Sequence, residues 1–103
     1  MYRLSYHVPE THLELTKQAL FAAGAGRVGN YDQCCWQVRG EGQFRPLSGS
    51  RPFLGETGKL EQVVEYRVEM VCEDDCVTEA VSALRGSHPY EEPAYDLIHL
   101  AEV

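Results

Sequence analysis

The stretch KLEQVVEYRVEMVC, residues Lys59–Cys72, contains the clearest alternation in the sequence. Every second residue from Val64 to Cys72 is apolar, and charged residues from Glu65 to Glu69 fall between them. Apolar side chains at a period of two are typical of a β-strand that buries one face and leaves the other polar. This stretch therefore predicts a long strand in a sheet that is covered on one side only.

The flanking segments predict further strands and two helices. Alternation from Tyr2 to Val8 predicts a first strand, and Thr11 followed by Glu14 predicts a capping box at the start of a helix. An acidic run at 73–75 favours a second helix, because carboxylates stabilise helix N-termini. The predicted order is strand 2–8, helix 11–23, strand 33–39, loop 40–58, strand 59–72, helix 73–86 and strand 95–101.

This order defines the fold class. Strand, helix, strand, strand, helix, strand is the α+β ferredoxin-like βαββαβ sandwich, an antiparallel sheet with two helices on one face. We expect a single domain over residues 1–103. The other face of the sheet is either solvated or covered by another subunit. Its predicted residues are Arg3, Ser5, His7, Glu65, Arg67 and Glu69.

Composition excludes several partners. The formal net charge is -7, which opposes binding to nucleic acid or to an anionic membrane. No apolar run approaches the roughly 20 residues that span a bilayer. The cysteines, Cys34, Cys35, Cys72 and Cys76, match neither a CxxC pair nor a disulfide framework, so we interpret them as buried free thiols. We therefore expect a soluble cytoplasmic protein.

The segment HPYEEPAYD, residues 88–96, is the densest group of polar and aromatic side chains. Pro89 and Pro93 restrict its backbone, so it is expected to form a shaped turn. One interpretation is a rigid structural turn. The other is a ligand or metal site at a subunit boundary, with His88 and Glu91 as candidate ligands of a divalent metal ion. The candidate ligand-binding residues of this turn are His88, Tyr90, Glu91, Glu92 and Tyr95.

The glycine-rich segment 40–58 is the second candidate region. Loops of this length in a small domain are usually functional or mobile. Its opening residues lack the fingerprint of a phosphate-binding loop. We expect it either to bind a ligand or to cover a neighbouring subunit. Its candidate ligand-binding residues are Gly40, Gly42, Phe44 and Pro46.

Four motifs in order resemble a known family, the Nif-three-like dinuclear-metal proteins. The chain looks like the small PII-like domain inserted in them, which is similar to the CutA divalent-cation tolerance proteins. The matching residues are 19–26, 29–34, 40–46 with Gly49, Pro52 and Gly55, and the turn 88–96. The resemblance implies a ferredoxin-like core, trimers formed through the sheet, and a loop between strands two and three that contacts partners or closes a ligand cleft.

The resemblance also sets a limit. Nif-three-like proteins hold their two metals in a larger surrounding domain that is rich in His, Asp and Glu, and this chain does not contain that domain. None of those metal ligands can be assigned to a residue here, and hydrolase or cyclohydrolase activity does not follow from the resemblance.

Two functions follow as hypotheses. The first is a stand-alone PII/CutA-like binding or regulatory module, a homotrimer with ligand clefts between subunits for a small molecule or a protein partner. The alternative is a divalent-cation-binding protein of the CutA kind. An enzyme has the weakest support, because no complete set of catalytic residues is visible.

Overall fold

The computed structural model describes all of residues 1–103 and contains four strands and two α-helices. The four strands form one antiparallel sheet in the order β2-β3-β1-β4. A 3₁₀ turn, Glu10–His12, precedes the first α-helix. The prediction of a ferredoxin-like βαββαβ sandwich is confirmed. The elements are β1 Tyr2–Pro9, α1 Leu13–Ala22, β2 Trp36–Phe44, β3 Glu61–Cys72, α2 Val77–Ser87 and β4 Tyr95–His99.

Both helices pack on the same face of the sheet. The alternating apolar residues of β1 and β3 point toward them, since Tyr6 pairs with Val68 and Leu4 with Met70 in the sheet register. Each helix turns its apolar stripe toward the sheet. The side chains of β1 and β3 therefore form one core with residues of both helices. The buried core residues are Leu4, Tyr6, Val8, Leu13, Leu20, Ala25, Val68, Met70, Cys72, Ala80 and Leu84.

The opposite face of the sheet carries no helix, and we call it the open face. Its central row pairs His7 of β1 with Arg67 of β3, and Arg67 in turn pairs with Val38 of β2. The Arg67 guanidinium donates to the Glu69 carboxylate at 2.9 Å. The predicted division of β1 and β3 into a buried face and a charged face is therefore correct.

Strand β2 differs from its predicted bounds. It begins at Trp36 and continues to Phe44, which pairs with Glu61. Gly40 and Gly42 therefore lie on a strand, and the loop between β2 and β3 covers only residues 45–60. Glycine inside a strand often marks a place where another group approaches the backbone closely. The glycines at 40 and 42 had instead led to the prediction that a loop begins here.

The start of α1 also differs from its prediction. The first α-helix begins at Leu13 after the 3₁₀ turn, and no side chain caps it. The Thr11 hydroxyl instead contacts Nδ1 of His12 at 2.8 Å, so the predicted capping box is absent. No helix of the structure has the length and apolar character that crossing a membrane requires.

Candidate functional site

A cleft of about 700 Å³ lies on the open face, beside the β2–β3 hairpin. Its floor is formed by β2 and β3, and its walls come from the 45–60 loop and the proline-bounded turn. The structure thus brings together the two candidate regions of the sequence, residues 40–58 and 88–96, which are separate in the chain. Of the predicted ligand-binding residues, the cleft is lined by Gly40, Gly42, Phe44, Pro46, Tyr90, Glu91 and Glu92.

His88 lies behind the cleft and shapes the turn. Its Nδ1 accepts a hydrogen bond from the Tyr90 backbone N–H at 3.1 Å, which requires that the proton sits on Nε2. That Nε2–H donates to the His7 carbonyl at 2.6 Å. Burial lowers the pKa of the imidazole below its usual 6.5, and this favours the neutral form, which alone can accept the Tyr90 hydrogen bond at Nδ1.

Tyr90 is the centre of an aromatic wall in the cleft. Its ring lies 5.9 Å from the Phe44 ring and 6.3 Å from the Phe53 ring, measured between centroids. The His88 ring packs against it on the other side, at 5.0 Å. These separations are in the normal range for interacting aromatic pairs. The wall therefore offers an apolar surface of tilted rings, and the position of Tyr90 within it depends on His88.

The Tyr90 hydroxyl is buried and has no hydrogen-bond partner of normal geometry. Burial raises its pKa well above the ordinary value of 10, and the neighbouring Glu65 carboxylate raises it further. A neutral phenol without a partner is uncommon in protein interiors, where buried polar groups are nearly always hydrogen-bonded. The hydroxyl and the neighbouring Glu65 carboxylate together form a polar corner of the cleft.

The Glu65 side chain extends toward this corner over the glycines of β2. Its backbone pairs with Gly40, and its side chain lies over Gly42. A Cβ atom at Gly42 would come within 2.1 Å of the Glu65 Oε1 atom. Glycine at this position therefore makes room for the carboxylate, which accounts for the glycine inside the strand.

The turn and the loop are tied to each other by Glu91. Its Oε1 atom accepts a hydrogen bond from the Arg51 backbone N–H at 2.9 Å. At the base of the loop the Gly58 N–H donates to the carbonyl of Pro46 at 2.8 Å, and Pro46 is buried. These two bonds fix the loop above the cleft.

Two predicted residues, His88 and Tyr95, do not line the cleft. Tyr95 pairs with Tyr6 on β1, so its ring faces the helices and packs against the core. Its hydroxyl accepts a hydrogen bond from the Arg85 side chain at 3.2 Å. The prediction grouped Tyr95 with the turn because the two are adjacent in sequence. Strand β4 begins at Tyr95, however, and there the side chain points to the helix-covered face, away from the cleft.

Several lining residues were missed as site residues, namely Val38, Phe53, Glu65 and Arg67. Alternation in β3 had placed Glu65 and Arg67 on the open face. What the sequence does not show is the register between β2 and β3, which sets Glu65 against the glycines. Phe53 had no periodic pattern to mark it, because it lies in an irregular loop.

The residues present do not fit a bound metal ion. The structure contains no group of three or more His, Cys, Asp or Glu side chains that could hold one. Both ring nitrogens of His88 are in hydrogen bonds, and Glu91 accepts from a backbone N–H. Metal binding by these two candidates would require breaking those bonds.

The four cysteines are all free. Only Cys72 is buried, so the expectation of buried thiols is wrong for Cys34, Cys35 and Cys76. Burial raises the pKa of the Cys72 thiol, and the hydrogen bond with Asp75 raises that of Cys76. Reactive thiols require a lowered pKa, so neither of these two is activated as a nucleophile.

Comparisons with known proteins place this geometry in context. No protein-family model matches the chain. It is 45% identical over 101 residues to the GTP cyclohydrolase 1 type 2 homolog of Halalkalibacterium halodurans, covering 98% of this chain and 27% of that protein. The chain thus spans about a quarter of the length of such relatives.

Solved structures agree with the sequence comparison. A Bacillus cereus protein related to NIF3 superposes with a TM-score of 0.83 and 37% identity, over 98% of this chain and 26% of that one. CutA1 from Pyrococcus horikoshii superposes with a TM-score of 0.69 over 100% of this chain and 86% of its own. Its identity is 18%, so this likeness concerns the fold alone.

The fold is that of a ferredoxin-like α+β domain, and it is similar to the fold of CutA. The identities of 45% and 37% to the relatives described above identify the family. The chain is a homologue of a domain of the NIF3-related proteins, which confirms the resemblance drawn from the four sequence motifs.

Proposed function

We propose that the protein is a ligand-binding or regulatory module, in which the open-face cleft receives a small molecule. The observation that carries this proposal is the cleft itself, built from two distant segments that are tied together by Glu91 and shaped by His88. Pockets that combine an apolar wall with a few polar groups are the usual form of small-molecule sites.

We further propose that the module works as a homotrimer assembled through the open face, with each cleft near a subunit boundary. Large apolar side chains on this face are exposed, with Trp36 at 60%, Val38 at 44% and Ile98 at 55%. An exposed apolar patch between charged residues is typical of an association surface. The likeness of the fold to CutA adds support to this arrangement.

Light scattering at micromolar concentration tests the assembly. We expect a mass of three chains for the unaltered protein and a lower mass for Trp36→Glu and Val38→Glu. Leu15→Glu is the matched control, because Leu15 is 58% exposed on the helical layer. A monomeric unaltered protein, or equal effects of all three substitutions, would contradict assembly through the open face.

Calorimetric titration tests the ligand. The alternative function, divalent-cation binding of the CutA kind, predicts tight binding of copper or zinc that is lost in His88→Ala. The relatives carry the name GTP cyclohydrolase 1 type 2 homolog, so GTP is included with ATP. Absence of binding by any small molecule would contradict a ligand site and leave association with a protein as the role of this face.

We also propose that the protein works in the cytoplasm. The observation behind this is that Cys35 is an exposed free thiol, which a reducing compartment preserves. Cell fractionation that recovered the protein from an oxidising compartment would contradict the proposal.

A further inference from the structure

Glu65 has no partner for its charge. It takes part in no ion pair, although its side chain is partly buried in the cleft, and its polar neighbour there is the neutral Tyr90 hydroxyl. Glu69, four residues further along β3 and on the same face, instead contacts Arg67 at 2.9 Å and Arg3 at 3.8 Å. A carboxylate that is partly removed from water without a counter-charge is unfavourable, so the cleft offers an unfilled place for a cation.

The surroundings of Glu65 are aromatic. The Phe44 and Tyr90 rings lie 5.9 Å apart beside it, and Phe53 extends the same wall. Aromatic faces attract organic cations through their quadrupole but supply no oxygen ligands. A hard divalent ion requires about six oxygen ligands, which this wall does not provide. An organic cation with an apolar stem fits better than a metal ion.

The net charge of the residues that line the cleft also favours a cation as the ligand. The cleft is lined by four glutamates, at 41, 65, 91 and 92, against the arginines at 45 and 67. The charge of Arg67 is already balanced by Glu69. An acidic cleft attracts cations and repels phosphate groups, which makes a nucleotide a poor match for it.

We propose that the cleft binds a small organic cation, a primary ammonium or guanidinium group on a short apolar stem, with Glu65 as its counter-ion and the aromatic wall around its stem. This inference rests on the proposed ligand-binding function and names the ligand class. Ammonium and guanidinium groups are donors only, so they suit the carboxylate, and they can also donate to the Tyr90 oxygen beside it.

Agmatine and putrescine are the probes, and butyramide is the neutral control of similar length. Calorimetry is expected to show saturable binding of agmatine to the unaltered chain, weakened by added salt, and no binding of butyramide. Glu65→Gln is expected to lower the affinity by about tenfold or more, the usual effect of removing a charged hydrogen-bond partner. Glu79→Gln, on the far side of the molecule in α2, is expected to leave it unchanged.

A second variant guards against misfolding in the first. Gly42→Ala keeps the Glu65 charge but pushes the carboxylate from its place, so it is expected to weaken agmatine binding as well. Circular dichroism and the thermal midpoint verify that each variant is folded.

The outcomes separate this inference from the proposed function. Equal agmatine affinity in Glu65→Gln and in the unaltered chain overturns the inference, as does equal binding of butyramide. Binding of copper, zinc or GTP without agmatine overturns the inference but leaves a ligand-binding module. Absence of binding by every probe overturns both.

Discussion

On the helix-covered face of the sheet, the Tyr6 hydroxyl donates a hydrogen bond of 3.0 Å to Thr16, whose own hydroxyl donates to the His12 and Leu13 carbonyls at 2.9 Å. On the open face, the buried Tyr90 hydroxyl has no partner. One sheet thus carries a closed, satisfied core on one side and an unsatisfied corner on the other. The difference is that hydrogen bonds within the chain satisfy the polar groups of the helical face, whereas the cleft on the open face retains a hydroxyl without one.

The largest effect should come from the closed face. Leu20 is fully buried, so Leu20→Ala is expected to lower the free energy of unfolding by about 2–5 kcal/mol through lost burial and a cavity. Val38→Ala on the open face should change it by no more than about 0.5 kcal/mol. Urea denaturation of dilute protein measures both. Similar losses in the two variants would break the contrast between the faces.

His88 ties the proline-bounded turn to β1, and its removal should have the next largest effect. His88→Ala leaves the His7 carbonyl and the Tyr90 N–H without partners, at a cost of about 1–3 kcal/mol near neutral pH. His88→Asn should lose less, because an amide oxygen can still accept from the N–H two residues ahead. Equal losses in the two variants would show that the Tyr90 bond does not stabilise the turn.

Acid provides a second measurement on His88. Its pKa is lowered in the folded state from 6.5, so the folded protein binds fewer protons than the unfolded chain. The stabilisation is therefore fully present above pH 6.5 and is lost as the pH falls through the lowered value. Denaturation at several pH values should show this acid loss in the unaltered protein and a smaller one in His88→Asn.

The two tyrosines give a smaller but direct test. Tyr6→Phe breaks a buried hydrogen bond and is expected to lower the free energy of unfolding by about 1 kcal/mol. Tyr90→Phe removes a hydroxyl that has no partner, so it should be neutral or stabilising. Thermal and chemical denaturation measure both. A destabilised Tyr90→Phe variant would mean that this corner is already satisfied.

Alkali provides a second measurement on Tyr6. Burial raises the pKa of Tyr6 to about 12 from 10.0. The stability that its neutral hydroxyl contributes is fully present below pH 10 and is lost as the pH rises through the raised value. The free energy of unfolding of Tyr6→Phe should therefore fall less with rising pH than that of the unaltered chain, as measured by denaturation above pH 10.

The smallest effect on stability is expected at the floor of the cleft. Gly42→Ala forces only the flexible end of Glu65 to move, so its free energy of unfolding should change by no more than about 0.5 kcal/mol. A crystal structure of the variant should show the carboxylate displaced. A carboxylate that stays in place while a strand shifts would contradict this prediction, because it would show that the backbone moves more easily than the Glu65 side chain.

Much of the fold follows from local patterns. The alternation in β1 and β3 assigned the buried and open faces correctly, because a period of two can match only a strand with one apolar side. The prolines at 89 and 93 also identified the turn. Predictions failed where a local pattern competed with pairing, as at Gly40 and Gly42, which lie in β2 because this strand continues along β3.

By itself, the sequence determined the order of elements, the helix-covered and open faces, and seven of the 21 residues that line the cleft. Only the tertiary structure decided that Glu65 lies over Gly42, that His88 bonds to the His7 carbonyl, and that Tyr95 faces the core. The physical reason is that side-chain periodicity is a property of one strand. The register between strands and the position of a loop depend on packing among segments that are far apart in the chain.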